Sequence, residues 1–278
     1  MTTPAIQRWA AFSDDPDGGN PAGVVLAADD LSDAEMQAIA ADVGYAETAF
    51  VFGDGRERGI RFFSPVAEVP FCGHATVASG VALAEHLGDG LFVFATPVGR
   101  VEIATGTGGG RRASFTSVEP WVAELPQTDL DAVLDLLGLA RDDLDPGHPP
   151  RLAFAGNPHP LLVIAEQTVF DGFAFDPLRA RALMDAAAWP ATIIVLHELG
   201  DGEWEARNVF PVGTITEDPA TGAAAAATGA YLRATGAVAP PARVRIHQGR
   251  HVGRPGLLEV GIPVGGGITV TGAAVRIG

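Results

Sequence analysis

The sequence predicts an α/β (α+β) protein of two similar domains, each a β-sheet rolled around a central helix. Three observations predict it. The chain repeats the order of its motifs, two alanine-rich segments lack a polar stripe, and most other apolar segments alternate as strands do.

The repeat begins with "GNPAGVVL" at Gly19–Leu26 and "GNPHPLLVI" at Gly156–Ile164. Each sets a Gly-Asn-Pro turn before an apolar run, which reads as a turn entering a buried strand. "RFFSP" at Arg61–Pro65 is matched by "RNVFP" at Arg207–Pro211. A short loop follows each, then "CGHATVASGVALAEHL" from Cys72 and "DPATGAAAAATGAYLRATG" from Asp218. The repeat is far too long for a solenoid and reads as a duplicated domain, with residues 1–120 as one copy and 121–278 as the other.

Alanine is the best helix former, and small side chains let surrounding backbone come close. Neither alanine-rich segment turns polar until its last turn, so each reads as a helix buried on all sides. "ETAFVF", "GIRFFSP", "LFVFATPVGRVEIAT", "RVRIHQG" and "LLEVGIPVGGGITVTGAAVRIG" read as strands. "SDAEMQAIAADVG" reads as an amphipathic surface helix with Ser32 as N-cap and Gly44 as its stop, and "DLDAVLDLLGLA" as another. The glycine-rich stretch around residues 105–112 lies between two alternating segments and reads as a hairpin turn.

Composition limits the function. The 278 residues are 47% hydrophobic, enough for substantial cores. A formal charge of −16 repels nucleic acid and anionic lipid. No basic, apolar leader opens the chain and no run of about 18 apolar residues occurs, so a cytoplasmic protein without nucleic-acid or membrane partners is expected. A single cysteine forms no internal disulfide and cannot build a thiolate zinc site, so no metal is expected.

The starts of the two central helices carry unpaired N–H groups and positive dipole character. Facing one another, they would make an anion pocket suited to a carboxylate. Titratable residues gather at these starts. Cys72 and His74 lie near the first, Glu217 and Asp218 near the second. Glu47 lies just inside an apolar strand, on the side of Ala49 and Val51, where a carboxyl is expected to have a raised pKa and to serve as a general acid/base. Each has a plainer reading. His74 reads equally as a buried histidine satisfied by backbone, and Cys72 as an inert small hydrophobe. Asp218 reads as a simple N-cap with Pro219 at the first helical position. Glu47 reads as solvent-facing on an edge strand. The functional reading gains because the candidates fall at matched places in the two halves.

"GNPAGVVL", "YAETAFV", "RFFSPVAEVPFCGHAT", "GNPHPLLVI", "RNVFPVGTITEDPATGAA" and "HQGRHVGRPGLLEV" run in order across nearly the whole chain. With them the sequence resembles the phenazine-biosynthesis PhzF-like family, within the diaminopimelate epimerase and proline racemase superfamily. The resemblance implies a diaminopimelate epimerase-like fold with the active site between the domains. It implies proton transfer without a cofactor on a small carboxylic acid, and a homodimer. In the phenazine enzyme a dihydro-hydroxyanthranilic acid is isomerised. By motif the catalytic residues would be Glu47, His74 and Asp218, and the carboxylate would be held by Gly73, Gly222 and Ala223. The last strand, about residues 266–278, is left open to return to the N-terminal half.

Two departures stand out. Racemases of the superfamily use two thiols; Cys72 fills the first position and Asp218 stands at the second, which argues against a two-thiol racemase. Ala223 stands where the phenazine isomerase has a serine, so the backbone donor survives and the hydroxyl is lost. Cys72 is either a lining residue or a further acid or base. The rival readings are an amino- or hydroxy-acid epimerase and a non-catalytic binder of small molecules.

Overall fold

The computed structural model describes residues 5–106, 111–212 and 215–278. Their contacts resolve two units, Met1–Thr116 with Thr271–Gly278, and Ser117–Val270.

The first unit runs β1 (Gln7–Ala11), β2 (Asn20–Val25), α1 (Asp33–Val43), β3 (Glu47–Phe52), β4 (Glu57–Phe63), β5 (Glu68–Val69), α2 (Gly73–Leu87), β6 (Gly90–Thr96), β7 (Gly99–Gly106) and β8 (Arg112–Thr116). Strand pairing follows the order β1, β2, β3, β4, β6, β7, β8. The C-terminal strand, Thr269–Arg276, pairs with both β8 and β1 and closes this sheet into a barrel. The pairs β2–β3 and β4–β6 are parallel and each spans a helix, as a parallel crossover requires. The hairpin expected around residues 105–112 is seen in the antiparallel β7–β8 pair, although its tip lies outside the described residues.

The helix α2 fills this barrel. Every residue from His74 to Leu83 is buried. Alanine, serine and glycine dominate there because the encircling sheet leaves room for little else. At Gly80 a Cβ would stand 2.6 Å from Ile103 Cγ2, so the helix needs glycine at that contact. Outside the barrel, α1 packs Met36 and Ala40 against Val25, Phe50 and Phe63. Its ends follow the sequence expectation. Ser32 and Glu35 form a capping box, and Gly44 closes the helix at φ 70°.

The second unit repeats the plan with β9 (Trp121–Glu124), α3 (Gln127–Leu137), β10 (Arg151–Phe154), β11 (Pro158–Val163), α4 (Gln167–Gly172), α5 (Pro177–Ala186), β12 (Ile193–Gly200), β13 (Glu203–Val212), β14 (Ile215–Asp218), α6 (Gly222–Thr235), β15 (Ala242–Gln248) and β16 (Gly256–Ile262). Its sheet order is β9, β10, β11, β12, β13, β15, β16, again with parallel pairs at β11–β12 and β13–β15. α6 is buried from Ala224 to Leu232. Gly229 lies seven residues into α6, as Gly80 does in α2, and a Cβ there would stand 2.8 Å from both Ile268 and Val260. On the outer face, α3, α4 and α5 bury Val133, Leu137, Phe170 and Met184 against Ile193 and Val195. Each such side chain contributes about 1.5–3 kcal/mol by leaving water.

The expected architecture is therefore present: a mixed α/β fold with a sheet rolled around a buried helix in each half. The structure departs from expectation at two helices and at one residue. The surface helices α4 and α5 were not anticipated. Asp218 is not the N-cap of α6; it ends β14, paired with Asn208 of β13, and the helix begins at Gly222 after Thr221. The ladder holds the Asp218 backbone extended, so the helix cannot start there. Among the described residues no helix is long and apolar enough to cross a membrane.

Candidate active site

The candidate residues form two groups, one in each unit. In the first, β3 presents Glu47 and the start of α2 presents Cys72, Gly73 and His74. The His74 Nε2 lies 3.4 Å from Glu47 Oε2. The Cys72 thiol donates to Glu47 Oε2 at 3.6 Å and stands 3.3 Å and 3.7 Å from the two nitrogens of His74. Glu47 keeps 14% of its side chain exposed against 6% for His74, so the carboxylate is the member that faces out. The edge-strand reading of Glu47 is thereby replaced, since β3 pairs on both sides, with β2 and with β4.

Burial fixes the charge state of the imidazole. Desolvation pushes the His74 pKa down to about 3, so the ring is neutral at pH 7. Its 3.4 Å contact with Glu47 is therefore not an ion pair. Asn20, the first residue of β2, lies 3.1 Å from Nδ1 through Nδ2. With that amide donating, Nδ1 is the acceptor and the ring proton sits on Nε2. Sequence reading treated Asn20 only as part of a turn. In the structure it is buried, 1% exposed, at the opening of an apolar strand.

In the second unit Asp218, Thr221 and Gln248 form a closed hydrogen-bonded set. The Thr221 hydroxyl donates to Asp218 Oδ2 at 2.6 Å. The Gln248 amide donates to the Asp218 carbonyl at 2.6 Å and to the Thr221 hydroxyl at 3.0 Å, and its oxygen accepts from the Thr221 N–H at 3.1 Å. Thr221 and Gln248 were missed because their partners are set by tertiary pairing. Gly222 and Ala223 follow as the first residues of α6. Glu217 is structural, since Arg207 clasps its carboxylate through Nε at 3.1 Å and an amino group at 2.5 Å.

Both central helices begin without a side-chain cap, unlike α1 and α5. The first helical bonds are made by the Thr76 and Ala225 N–H groups. The N–H groups of Gly73 and His74, and of Gly222 and Ala223, precede them and have no partner within the helix.

Among the described residues, two clusters have metal-ligating donor atoms within 4.8 Å of one another. One is Glu47, Cys72 and His74; the other is Asp171, Glu205 and His251. In the second, Arg250 reaches Asp171 at 2.6 Å and Glu205 at 2.7 Å, so a guanidinium already supplies the positive charge.

A family model described as phenazine biosynthesis-like protein matches residues 9–277. The chain belongs to that family. An isomerase named YddE from Escherichia coli O157:H7 is 33% identical over 284 residues, covering 98% of this chain and 96% of the relative. The trans-2,3-dihydro-3-hydroxyanthranilate isomerase of Pseudomonas chlororaphis is 29% identical over 256 residues, covering 89% of this chain and 86% of that enzyme. A solved PhzF-family protein of Bacillus anthracis superposes with a TM-score of 0.87 at 26% identity, covering 100% of this chain and 98% of that one. Its fold is thus that of the PhzF group, and its named relatives place it among the isomerases.

Proposed function

We propose that this isomerase moves a proton on a small carboxylic acid by general acid/base catalysis, with Glu47 as the base. The observation that carries this reading is the convergence of Glu47, Cys72 and His74 at the uncapped start of α2. Glu47 removes a proton from an sp3 carbon and returns it elsewhere on a conjugated framework. His74, neutral and held by Asn20, lies 3.4 Å from the carboxylate and helps to orient it. Asp218, already accepting from Thr221, orients an amine or hydroxyl of the same substrate. The N–H groups at Gly73, Gly222 and Ala223 hold the substrate carboxylate, and they stabilise the negative charge that grows when a proton leaves a carbon next to unsaturation. The likeness to the P. chlororaphis enzyme supports a dihydro-hydroxyanthranilate-like substrate.

A second reading is epimerisation of an amino or hydroxy acid. It is favoured by the Cys72 thiol, which touches both Glu47 and His74 and so sits where it can share the proton.

The test is deuterium wash-in from heavy water with a panel of cyclic and amino carboxylic acids, trans-2,3-dihydro-3-hydroxyanthranilate among them. Label appearing with the wild type and not with Glu47→Gln is the expected result. Inversion at one carbon without double-bond migration selects the epimerase. Equal labelling by Glu47→Gln removes Glu47 as the base.

A further inference from the structure

We propose that the second unit carries a further ligand site, a pocket beside the start of α3 that binds a small carboxylate with an apolar body. It shares no residue with the candidate active site, and it stands independently of the function argued above.

The pocket has a volume of about 360 Å³, inside the range of about 300–1,000 Å³ common for small-molecule sites. Its floor is apolar and preformed. Leu125 and Leu130 belong to the outer core of this unit, and Leu144 packs against the same cluster. Pro149 and Pro150 form a wall whose φ angles the rings fix. The Pro149 carbonyl is held in turn by the Tyr231 hydroxyl of α6 at 3.1 Å. This surface offers contact to a ring or a short hydrocarbon and no side-chain hydrogen bond.

The polar groups around the floor favour an anion. The guanidinium groups of Arg141 and Arg151 both line the pocket. Among the described residues, half-buried Arg151 bonds only to the Pro150 carbonyl, at 2.9 Å, and has no carboxylate partner. A guanidinium carries five N–H donors in a fork that matches a carboxylate, so most of this fork is open. Arg141 pairs with Asp131 at 2.5 Å, but the two side chains are 49% and 62% exposed. Such a pair is held weakly, and a ligand carboxylate can share its guanidinium. At the same wall α3 opens on Gln127 after Pro126, with no side-chain cap. Its helical bonds begin with the Asp129 and Leu130 N–H groups, so those of Gln127 and Thr128 have no partner within the helix. Glu124 also lines the pocket and stands opposite Arg151 in the β9–β10 ladder, where it competes with a ligand for the guanidinium. A bare inorganic anion would leave the leucine and proline floor unused. A neutral apolar ligand would leave the open fork unused. A carboxylate on an apolar body uses both.

The probe is cinnamate, with cinnamamide as its neutral isostere and inorganic phosphate as the anion without an apolar body. Each is titrated into the full chain and followed by backbone amide NMR shifts, and thermal melts establish that every variant is folded. Cinnamate should give saturable shifts at Leu125, Gln127 and Arg151, with cinnamamide and phosphate binding at least about tenfold more weakly. Arg151→Met should weaken cinnamate by about tenfold or more, the scale of a lost hydrogen bond to a charged group. Glu124→Gln should tighten it a few-fold by removing the competing carboxylate. No saturable shift at these residues, equal affinity for cinnamate and cinnamamide, or unchanged affinity in Arg151→Met would overturn the site. Shifts confined to Asp218, Gly222 and Ala223 would place the probe at the candidate active site and overturn it as well.

Discussion

At the start of α2 stand Cys72, Gly73 and His74; at the start of α6 stand Thr221, Gly222 and Ala223. The backbone plan is the same. Each helix begins on glycine without a side-chain cap, carries a second glycine seven residues on, and lies inside a rolled sheet with parallel pairs at matching places. The chemistry differs. The first start gathers a carboxylate, a thiol and a neutral imidazole that touch one another. The second holds one carboxylate in a lattice with a hydroxyl and an amide. Packing demands preserve the glycines and alanines in both copies. They place no such demand on the side chains at the helix mouths, which is where the copies diverge.

The comparison makes Glu47→Gln the most damaging change. Removing a positioned acid/base lowers rate by about 10²–10⁴-fold, and deuterium exchange should fall by that order while the fold survives. A smaller loss would mean that the thiol shares the proton.

Next in size is the arginine that each copy places inside a matching strand, Arg61 in β4 and Arg207 in β13. Arg207 is buried, clasps Glu217, donates to the carbonyls of Phe170 and Phe173, and lies 3.6 Å over the Phe173 ring. Its counterpart Arg61 makes the same two-pronged contact with Glu68 but near the surface. Breaking a buried pair costs about 3–5 kcal/mol because it strands a charge. An exposed pair contributes about 1 kcal/mol or less. Urea denaturation of Arg207→Ala and Arg61→Ala should separate by that margin. Equal losses would erase the distinction between the copies.

The helix glycines come third. Alanine at Gly80 or Gly229 places a Cβ 2.6–2.8 Å from branched core side chains. The overpacking costs about 1–3 kcal/mol, partly offset by the roughly 1 kcal/mol by which alanine favours a helix. Calorimetry of the two variants should give similar losses if the two cores are equivalent.

The smallest effect is on pH dependence. His159 of β11 is fully buried, its Nδ1 held 2.9 Å from the Thr192 carbonyl, and desolvation lowers its pKa to about 4. The unfolded chain binds this proton at about pH 6.5, so unfolding takes up a proton below that value. Stability contributed by His159 is therefore complete above about pH 6.5 and is lost as pH falls toward 4. The loss between pH 7 and pH 5 is on the order of 1–2 kcal/mol, and denaturation of His159→Gln should show a correspondingly flatter profile.

What the sequence disclosed follows from range. The rolled sheets were legible because enclosing a helix forces alanine and glycine into it, and α1 was legible because Ser32, Glu35 and Gly44 mark it within one segment. α4 and α5 were not, since they bury only Phe170, Ala180 and Met184 and show little periodicity. The Asp176–Pro177 pair that caps α5 was a usable signal left unread. At the site, Glu47, Cys72 and His74 stood out as reactive types in apolar surroundings. Asn20 and Gln248 did not, because their partners lie 54 and 30 residues away. The plainer capping reading of Asp218 fails for the same reason, as pairing with Asn208 decides its conformation.

The most direct test of the account is carbon–deuterium exchange measured alongside ligand binding for the wild type, Glu47→Gln and Asp218→Asn, using the panel member that the wild type labels fastest. The account predicts that Glu47→Gln binds this compound with little change and exchanges at least about a hundredfold more slowly, while Asp218→Asn binds it more weakly and keeps more of its exchange. Wild-type exchange by Glu47→Gln would contradict it.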